Sequence, residues 1–352
     1  MKPFSRRNEM RRNEMRRKIL HRISRRRSET RRSVKTKHKN IRKNKKNIRK
    51  TKKIYYSPSV SSEETIKKLN CSPTQQNKDD YTCYDDVNLV HIKNMWNKRN
   101  PDEAIHANTK KEIWDSLNNK MKNVCDNEMC WLKQEFIDDG NVSKEIIENA
   151  FAPTSPKSWK KNPNEWLSNF DLKKVMKQYE KKYTDFSFIG PSPIDFDQIE
   201  YGTKCVWNDL CHFKLKTFID KGKNEIGIIF NTDPHTEGGS HWITMYINIS
   251  EGYIYFFNST GEPVPKEIKV LIDRIIEESK ELVKQHILKN ELVFNQNYPK
   301  EHQTGGTECG MYSLYFIINV LTRQLKPDFF NKEKISDKQV QEFRKIFFNP
   351  AD

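Results

Sequence analysis

Apolar residues recur at three- and four-residue steps in two stretches of the N-terminal half: Leu89, Ile92, Met95 and Trp96, then Ile113, Trp114, Leu117 and Met121. This spacing predicts amphipathic helices and a small helical subdomain over residues 71–150. From Trp159 onward helical and strand-like patterns alternate. Residues 171–183 read as a helix with Val175, Met176 and Tyr179 on one side, followed by a Pro-rich turn at Gly190-Pro191-Ser192-Pro193 and a further helix over 208–219. Three β-type runs come next, at 226–231, 242–249 and 253–258. The last two are joined by Ser250-Glu251-Gly252 and predict an antiparallel hairpin. A long helix over 266–288, a short strand over 291–296 and a polar loop over 297–308 precede the most apolar run of the chain. That run, Met311 to Leu321, is too short for a bilayer span and is interrupted by Ser313 and Asn319, so it predicts a buried helix starting at Cys309 rather than a membrane segment. Ser336 is placed to cap a last helix through Phe347. The expected fold class is α+β, a central mixed or antiparallel sheet flanked by helices.

Charge divides the chain differently. Its 352 residues carry a net +17, yet residues 1–53 hold 25 Lys/Arg and three acids, or +22, leaving −5 on the rest. Phe4 is the only aromatic residue in that segment, so it cannot bury enough surface to order itself. A disordered polybasic tail is expected at 1–55 and a linker at 56–70, ahead of the helical subdomain (71–150) and a mixed α+β domain (155–352). The tail suits sequence-independent attraction to polyanions, nucleic acid above all, through counterion release. It lacks the apolar region of a secretion signal.

The seven cysteines are odd in number and irregular in spacing. A reduced compartment is the default for such a chain, and Cys71, Cys83, Cys125 and Cys130 are expected as buried free thiols, with zinc or disulfide cross-links as the alternative. Cys309 is different, because it follows the polar loop Gln303-Thr304-Gly305-Gly306-Thr307-Glu308 and opens a helix. The positive end of a helix dipole and free backbone N–H groups favour thiolate, so a lowered pKa is expected there. A nucleophilic cysteine needs a base, and the base needs an orienting acceptor. His241 opens one hairpin strand and Asn258 ends the other, so antiparallel pairing makes them neighbours. Asn258 would accept from His241 Nδ1–H and leave Nε2 to take the thiol proton, with Gln303 as a candidate oxyanion donor. His235 and His302 are the competing bases. This chemistry calls for no metal and no cofactor.

The order His241-Trp242, Phe256-Phe257-Asn258-Ser259, Gln303 and Cys309-Gly310 resembles that of the Ulp1/adenain cysteine-protease clan. Asn258 in place of the commoner Asp, and the segment Gly190-Pro191-Ser192-Pro193-Ile194-Asp195-Phe196, are most similar to the polyprotein-processing proteases of large cytoplasmic DNA viruses, the African swine fever virus type. Trp166-Leu167-Ser168-Asn169 resembles the clan's Trp-Leu-Asn-Asp segment, differing at its last two positions. The resemblance covers roughly residues 159–325. It implies an adenain-like core and a thiol endopeptidase cleaving after Gly-Gly in viral structural polyproteins, with Trp166 and Trp242 as walls of the substrate cleft. It also implies a place in the virion and the host cytoplasm; the nucleus is the alternative location. The alternative functions are a SUMO- or ubiquitin-like isopeptidase and a nucleic-acid-binding virion protein on an inactive protease scaffold.

Overall fold

The structure, a computed structural model, describes residues 69–351 apart from 77, 78, 80, 138, 139, 201 and 203. The tail expected at 1–55 and nearly all of the linker expected at 56–70 lie outside the described residues.

The predicted helical stripes form as read. Helix α1 (Asp86–Arg99) is capped by the Asp85 carboxylate and buries Leu89 and Ile92. Helix α2 (Lys110–Met121) starts at a capping box of Thr109 and Glu112 and buries Ile113, Trp114, Leu117 and Met121. With α3 (Glu128–Trp131) and α4 (Gly140–Ala150) they close a separate core around Tyr84, Trp131 and Phe151. The buried Glu128 accepts from Cys83 N–H (3.1 Å) and from the Trp114 indole, so its carboxylate is satisfied inside that core. Several hydrogen bonds fasten this layer to the rest: Asn349 exchanges bonds with the Asn70 backbone (2.7 and 2.9 Å), Gln178 donates to the carbonyls of Glu148 and Phe151, and Lys182 donates to the Pro73 carbonyl (2.6 Å).

The expectation of free thiols fails. Cys71–Cys83, Cys125–Cys130 and Cys205–Cys211 are disulfide-bonded, and Cys309 alone is free. Folding brings the paired Cα atoms to 5.1, 5.5 and 6.2 Å, a proximity that spacing along the chain does not reveal.

In the second half, helix α5 (Asn169–Lys182) begins at a capping box in which Ser168 and Asp171 satisfy each other's backbone N–H groups. Strand β1 (Phe186–Ser192) then runs through Gly190-Pro191, where a turn was expected. Gly190 sits at φ +105°, and a Cβ there would lie 2.6 Å from the Ile229 carbonyl oxygen, so glycine lets the strand bend without leaving the sheet. A small ribbon of β2 (Ile199–Glu200) and β3 (Lys204–Cys205) follows. The single helix expected over 208–219 is two, α6 (Asn208–Cys211) and α7 (Leu215–Asp220). The break is held by a distant residue, because the Glu278 carboxylate caps Leu215 N–H (2.8 Å) and Lys216 N–H (3.1 Å).

Strands β4 (Glu225–Asn231), β5 (Trp242–Asn248) and β6 (Tyr253–Phe257) pair antiparallel, while β1 and β7 (Val293–Gln296) add in parallel at the two edges, giving the order β1-β4-β5-β6-β7. Both faces are covered, which is why the central strands read as near-continuous apolar runs. Ile228, Met245 and Phe256 point to the face packed by α8 (Lys266–Lys284). Ile229, Tyr246 and Phe257 point to the other face, packed by α5 and α9 (Cys309–Leu321), the latter buried along its whole length. Short helices α10 (Phe329–Lys332), α11 (Asp337–Glu342) and α12 (Arg344–Phe347) complete that layer. Ser336 caps α11 as expected, although the helix breaks at Phe343. Among the described residues no helix is long and apolar enough to cross a membrane.

Candidate active site

The hairpin places His241 and Asn258 together. Thr244 pairs with Phe257, which brings the start of β5 beside the end of β6, and His241 Nε2 lies 2.8 Å from Asn258 Oδ1. The same Oδ1 accepts the Thr260 backbone N–H (3.1 Å) and hydroxyl (2.8 Å). A backbone N–H can only donate, so this atom is the amide oxygen, and His241 must carry its proton on Nε2. The ring nitrogen left as a base is Nδ1. That reverses the expected assignment: pairing predicts which residues meet, whereas which ring nitrogen faces which partner depends on the side-chain rotamer.

Asn258 is itself clamped. Its backbone N–H donates to Asn297 Oδ1 (2.9 Å), and Asn297 Nδ2 returns a bond to the Asn258 carbonyl (2.7 Å). Asn297 is fully buried. Nothing in its sequence context singles it out, whereas Thr260 adjoins the Asn258-Ser259 motif.

Cys309 is 1% exposed at the start of α9. The backbone N–H groups of Trp242, Gly310 and Cys309 itself favour its thiolate, so the thiol lies near the residue that follows His241. Burial nevertheless outweighs these donors and, with the Glu308 carboxylate, pushes the thiol above its ordinary pKa. The expected lowering is therefore overturned: the donors are present, but a nearly dry site penalises the charge more.

Gln303 is buried against the end of β6. Its Oε1 accepts from the Ser259 hydroxyl (2.7 Å) and its Nε2 donates to the Gly305 carbonyl (2.9 Å), leaving one amide hydrogen uncommitted. The loop between Gln303 and Cys309 is tied to α11: Asp337 accepts from the backbones of Thr304 and Gly305 and from the Tyr312 hydroxyl. Burial opposes the Asp337 charge, but these donors win and keep its carboxyl below the usual range.

The competing histidines are otherwise engaged. His302 is fully buried, with Nε2 donating to the Phe330 carbonyl (2.9 Å) and Nδ1 accepting Ile335 N–H (3.2 Å). His235 lies between Asp195 (2.7 Å) and Glu200 (2.9 Å), and the Asp195 hydrogen bond raises its pKa.

Trp166 and Trp242 both line one cleft of about 630 Å³, together with Pro191, Pro193, Trp207 and the Gly238-Gly239 loop. Trp242 Nε1 donates to the Leu167 carbonyl (2.9 Å), fixing one wall to the other. Leu167 in turn presses on α9, since a Cβ on Gly310 would lie 2.9 Å from Leu167 Cβ. Elsewhere, Cys205, Cys211 and His212 bring donor atoms within 4.8 Å of one another, but two of these sulfurs are bonded to each other and offer no thiolate to a metal.

Comparison with known proteins agrees with this arrangement. Residues 212–351 match the Ulp1 protease family, C-terminal catalytic domain. A thiol protease of Acanthamoeba polyphaga mimivirus is 28% identical over 296 residues, covering 79% of this chain and 92% of its own. A protein of African swine fever virus named as a SUMO-1 cysteine protease is 27% identical over 270 residues, covering 72% and 93%. The crystal structure of an African swine fever virus protease superposes with a TM-score of 0.53 at 21% identity, covering 83% of this chain and 98% of its own. That share is more than residues 155–352 can supply, so the likeness of fold runs into the N-terminal helical layer, beyond the stretch over which the motifs are recognisable.

Proposed function

Because this chain is a cysteine protease of the Ulp1 family, we propose that it is a viral endopeptidase that cleaves after Gly-Gly in structural polyproteins during virion maturation. The observation that carries the substrate reading is the burial of Cys309, at 1% exposure, together with the contact of Leu167, which lies beside Trp166 in the cleft wall, against Gly310, the residue after Cys309. A substrate that reaches so buried a thiol is expected to carry little side-chain bulk at the scissile positions. Two consecutive glycines present bare backbone.

In this reading the Cys309 proton passes to His241 Nδ1 as the sulfur attacks the scissile carbonyl carbon and the carbonyl electrons move to oxygen. Asn258 and Thr260 hold the ring in the tautomer that leaves Nδ1 free. Backbone N–H groups at the start of α9 and the uncommitted Gln303 amide hydrogen serve the oxyanion. His241 then gives the proton to the leaving amine as the C–N bond breaks, and water attacks the thioester, returning a proton to sulfur. Cys309→Ser and His241→Ala are each expected to lower Gly-Gly-X peptide cleavage by about 10⁴-fold or more with melting unchanged. Retained turnover in either variant defeats the assignment.

A second substrate class, SUMO- or ubiquitin-like conjugates, is favoured by the family and by the name of the African swine fever virus relative. Assaying Gly-Gly polyprotein peptides beside folded modifier conjugates separates the two. The proposed sites of action are the virion and the host cytoplasm. Residues 1–53 are proposed to bind nucleic acid through phosphates, so deleting them is expected to remove salt-dependent DNA binding and to leave peptide cleavage intact. An unchanged salt slope after deletion assigns DNA binding elsewhere.

A further inference from the structure

Arg344, the first residue of α12, is 6% exposed. Its guanidinium lies over the Trp159 ring at 4.4 Å from the centroid, and Trp159 packs edge-on against Phe348. Nη2 donates to the Glu165 carbonyl at 2.6 Å. Nε and Nη1 are buried and have no hydrogen-bond partner. A buried cation with two idle donors is costly, by more than about 1 kcal/mol for each unmatched group, and a packing role alone would be filled better by an apolar side chain. Something other than stability is therefore being served.

What Arg344 touches is the cleft wall. Glu165 precedes Trp166, and Leu167 accepts the Trp242 indole N–H while pressing on Gly310. The segment is thus pinned at both ends, by Arg344 on one side and Trp242 on the other, above the first turn of α9. We propose that Arg344 is a positioning residue for the cleavage reaction: it holds the Trp166 wall in register with Cys309 and supplies a fixed positive charge to the thiolate. This role rests on the proteolytic reading above.

The surroundings fit. Burial pulls the guanidinium down to about 10, which leaves it cationic at neutral pH, and the charges that act on it in the opposite sense are Glu308, Asp171, Glu165 and Cys309. The buried carboxylates do not neutralise it by hydrogen bonding. Glu308 is engaged by Thr307 and Gln341, and Asp171 by Ser168. The neighbouring Glu308 adds to the burial penalty on the thiolate, whereas the charge coupling between Arg344 and Cys309 has the opposite sign.

The test compares the full chain with its Arg344→Lys and Arg344→Met variants. Alkylation of Cys309 by iodoacetamide is followed against pH, with Cys309→Ser as the blank, and KM and kcat are measured on a Gly-Gly peptide per alkylatable Cys309. Arg344→Met is expected to raise the alkylation midpoint by about half a pH unit and KM by about tenfold. Arg344→Lys keeps the charge, so its midpoint stays near that of the parent, but it lacks the planar fork that reaches Glu165 and stacks on Trp159, so its KM still rises. Unchanged midpoints and unchanged KM in the folded fraction overturn the proposal. Should Arg344→Met fail to fold, KM of Arg344→Lys decides alone, an unchanged value overturning the positioning role. If the parent does not cleave Gly-Gly peptides, the substrate reading fails, while the alkylation midpoints still decide the electrostatic role.

Discussion

The two ends of α9 are built in opposite ways. Just past its C-terminal end, Arg323 donates to both oxygens of the buried Glu225 and to the Val320 carbonyl, and the Tyr246 hydroxyl donates to the same carboxylate. Burial and the Glu225 charge together raise the Tyr246 hydroxyl far above its usual pKa. Among these groups the donors and acceptors are matched. At the N-terminal end a thiol is held dry beneath backbone N–H groups, a carboxylate adjoins it, and Arg344 keeps two donors unmatched. Both ends anchor one helix to one sheet. The matched end can be assigned to stability, whereas the unmatched end is where the proposed bond-making step draws on its polar groups.

Three measurements test that contrast. The largest effect is expected from acid, through the loop that carries Gln303. Burial depresses the His302 pKa to about 4, against an ordinary value of 6.5. The unfolded chain therefore binds a proton between these values that the folded chain does not, so the stability in question is present above pH 6.5 and is lost as pH falls towards 4. The loss is on the order of 3 kcal/mol at pH 4, seen as a falling melting temperature. His302→Phe is expected to flatten that part of the profile, and an unaltered slope places the titration in other groups.

Next comes Asn258→Ala, expected to lower kcat by about 10²-fold, because the His241 tautomer loses its acceptor while the proton-transfer groups remain. Differential melting should show a modest loss, on the order of 1 kcal/mol, from the Thr260 donors left without their acceptor. A large melting loss with normal kcat would move Asn258 from the reactive end to the structural one.

The smallest is Glu225→Ala, with a loss of about 2 kcal/mol. Most of it comes from the stranded Tyr246 hydroxyl, since Arg323 is half exposed and its ion pair is screened. The kcat/KM on a Gly-Gly peptide is expected to stay at the parent value. If it falls, the two ends of α9 are coupled and the division of roles is too simple.

Much of this architecture was legible from period alone. The buried faces of α2 and α9, the β5–β6 hairpin and the Ser336 cap follow from apolar spacing and turn chemistry, which act over a few residues. The meeting of His241 and Asn258 follows from the same local rule. Other features needed partners far along the chain. The break between α6 and α7 is capped from α8, Gly190 carries a strand through what reads as a turn, and the four cysteines expected as free thiols pair in two disulfides.

By itself, then, the sequence determined most of the periodic elements and the order of the proposed reactive residues, because these depend on backbone periodicity and on groups adjacent in the chain. Only the tertiary structure decided that Nδ1 rather than Nε2 of His241 is the free nitrogen, that the Cys309 thiol is raised rather than lowered, and that Arg344 lies against the cleft wall. Each of these depends on rotamer, on dielectric and on distance between segments more than a hundred residues or many ångströms apart, and none of those quantities is written in local spacing.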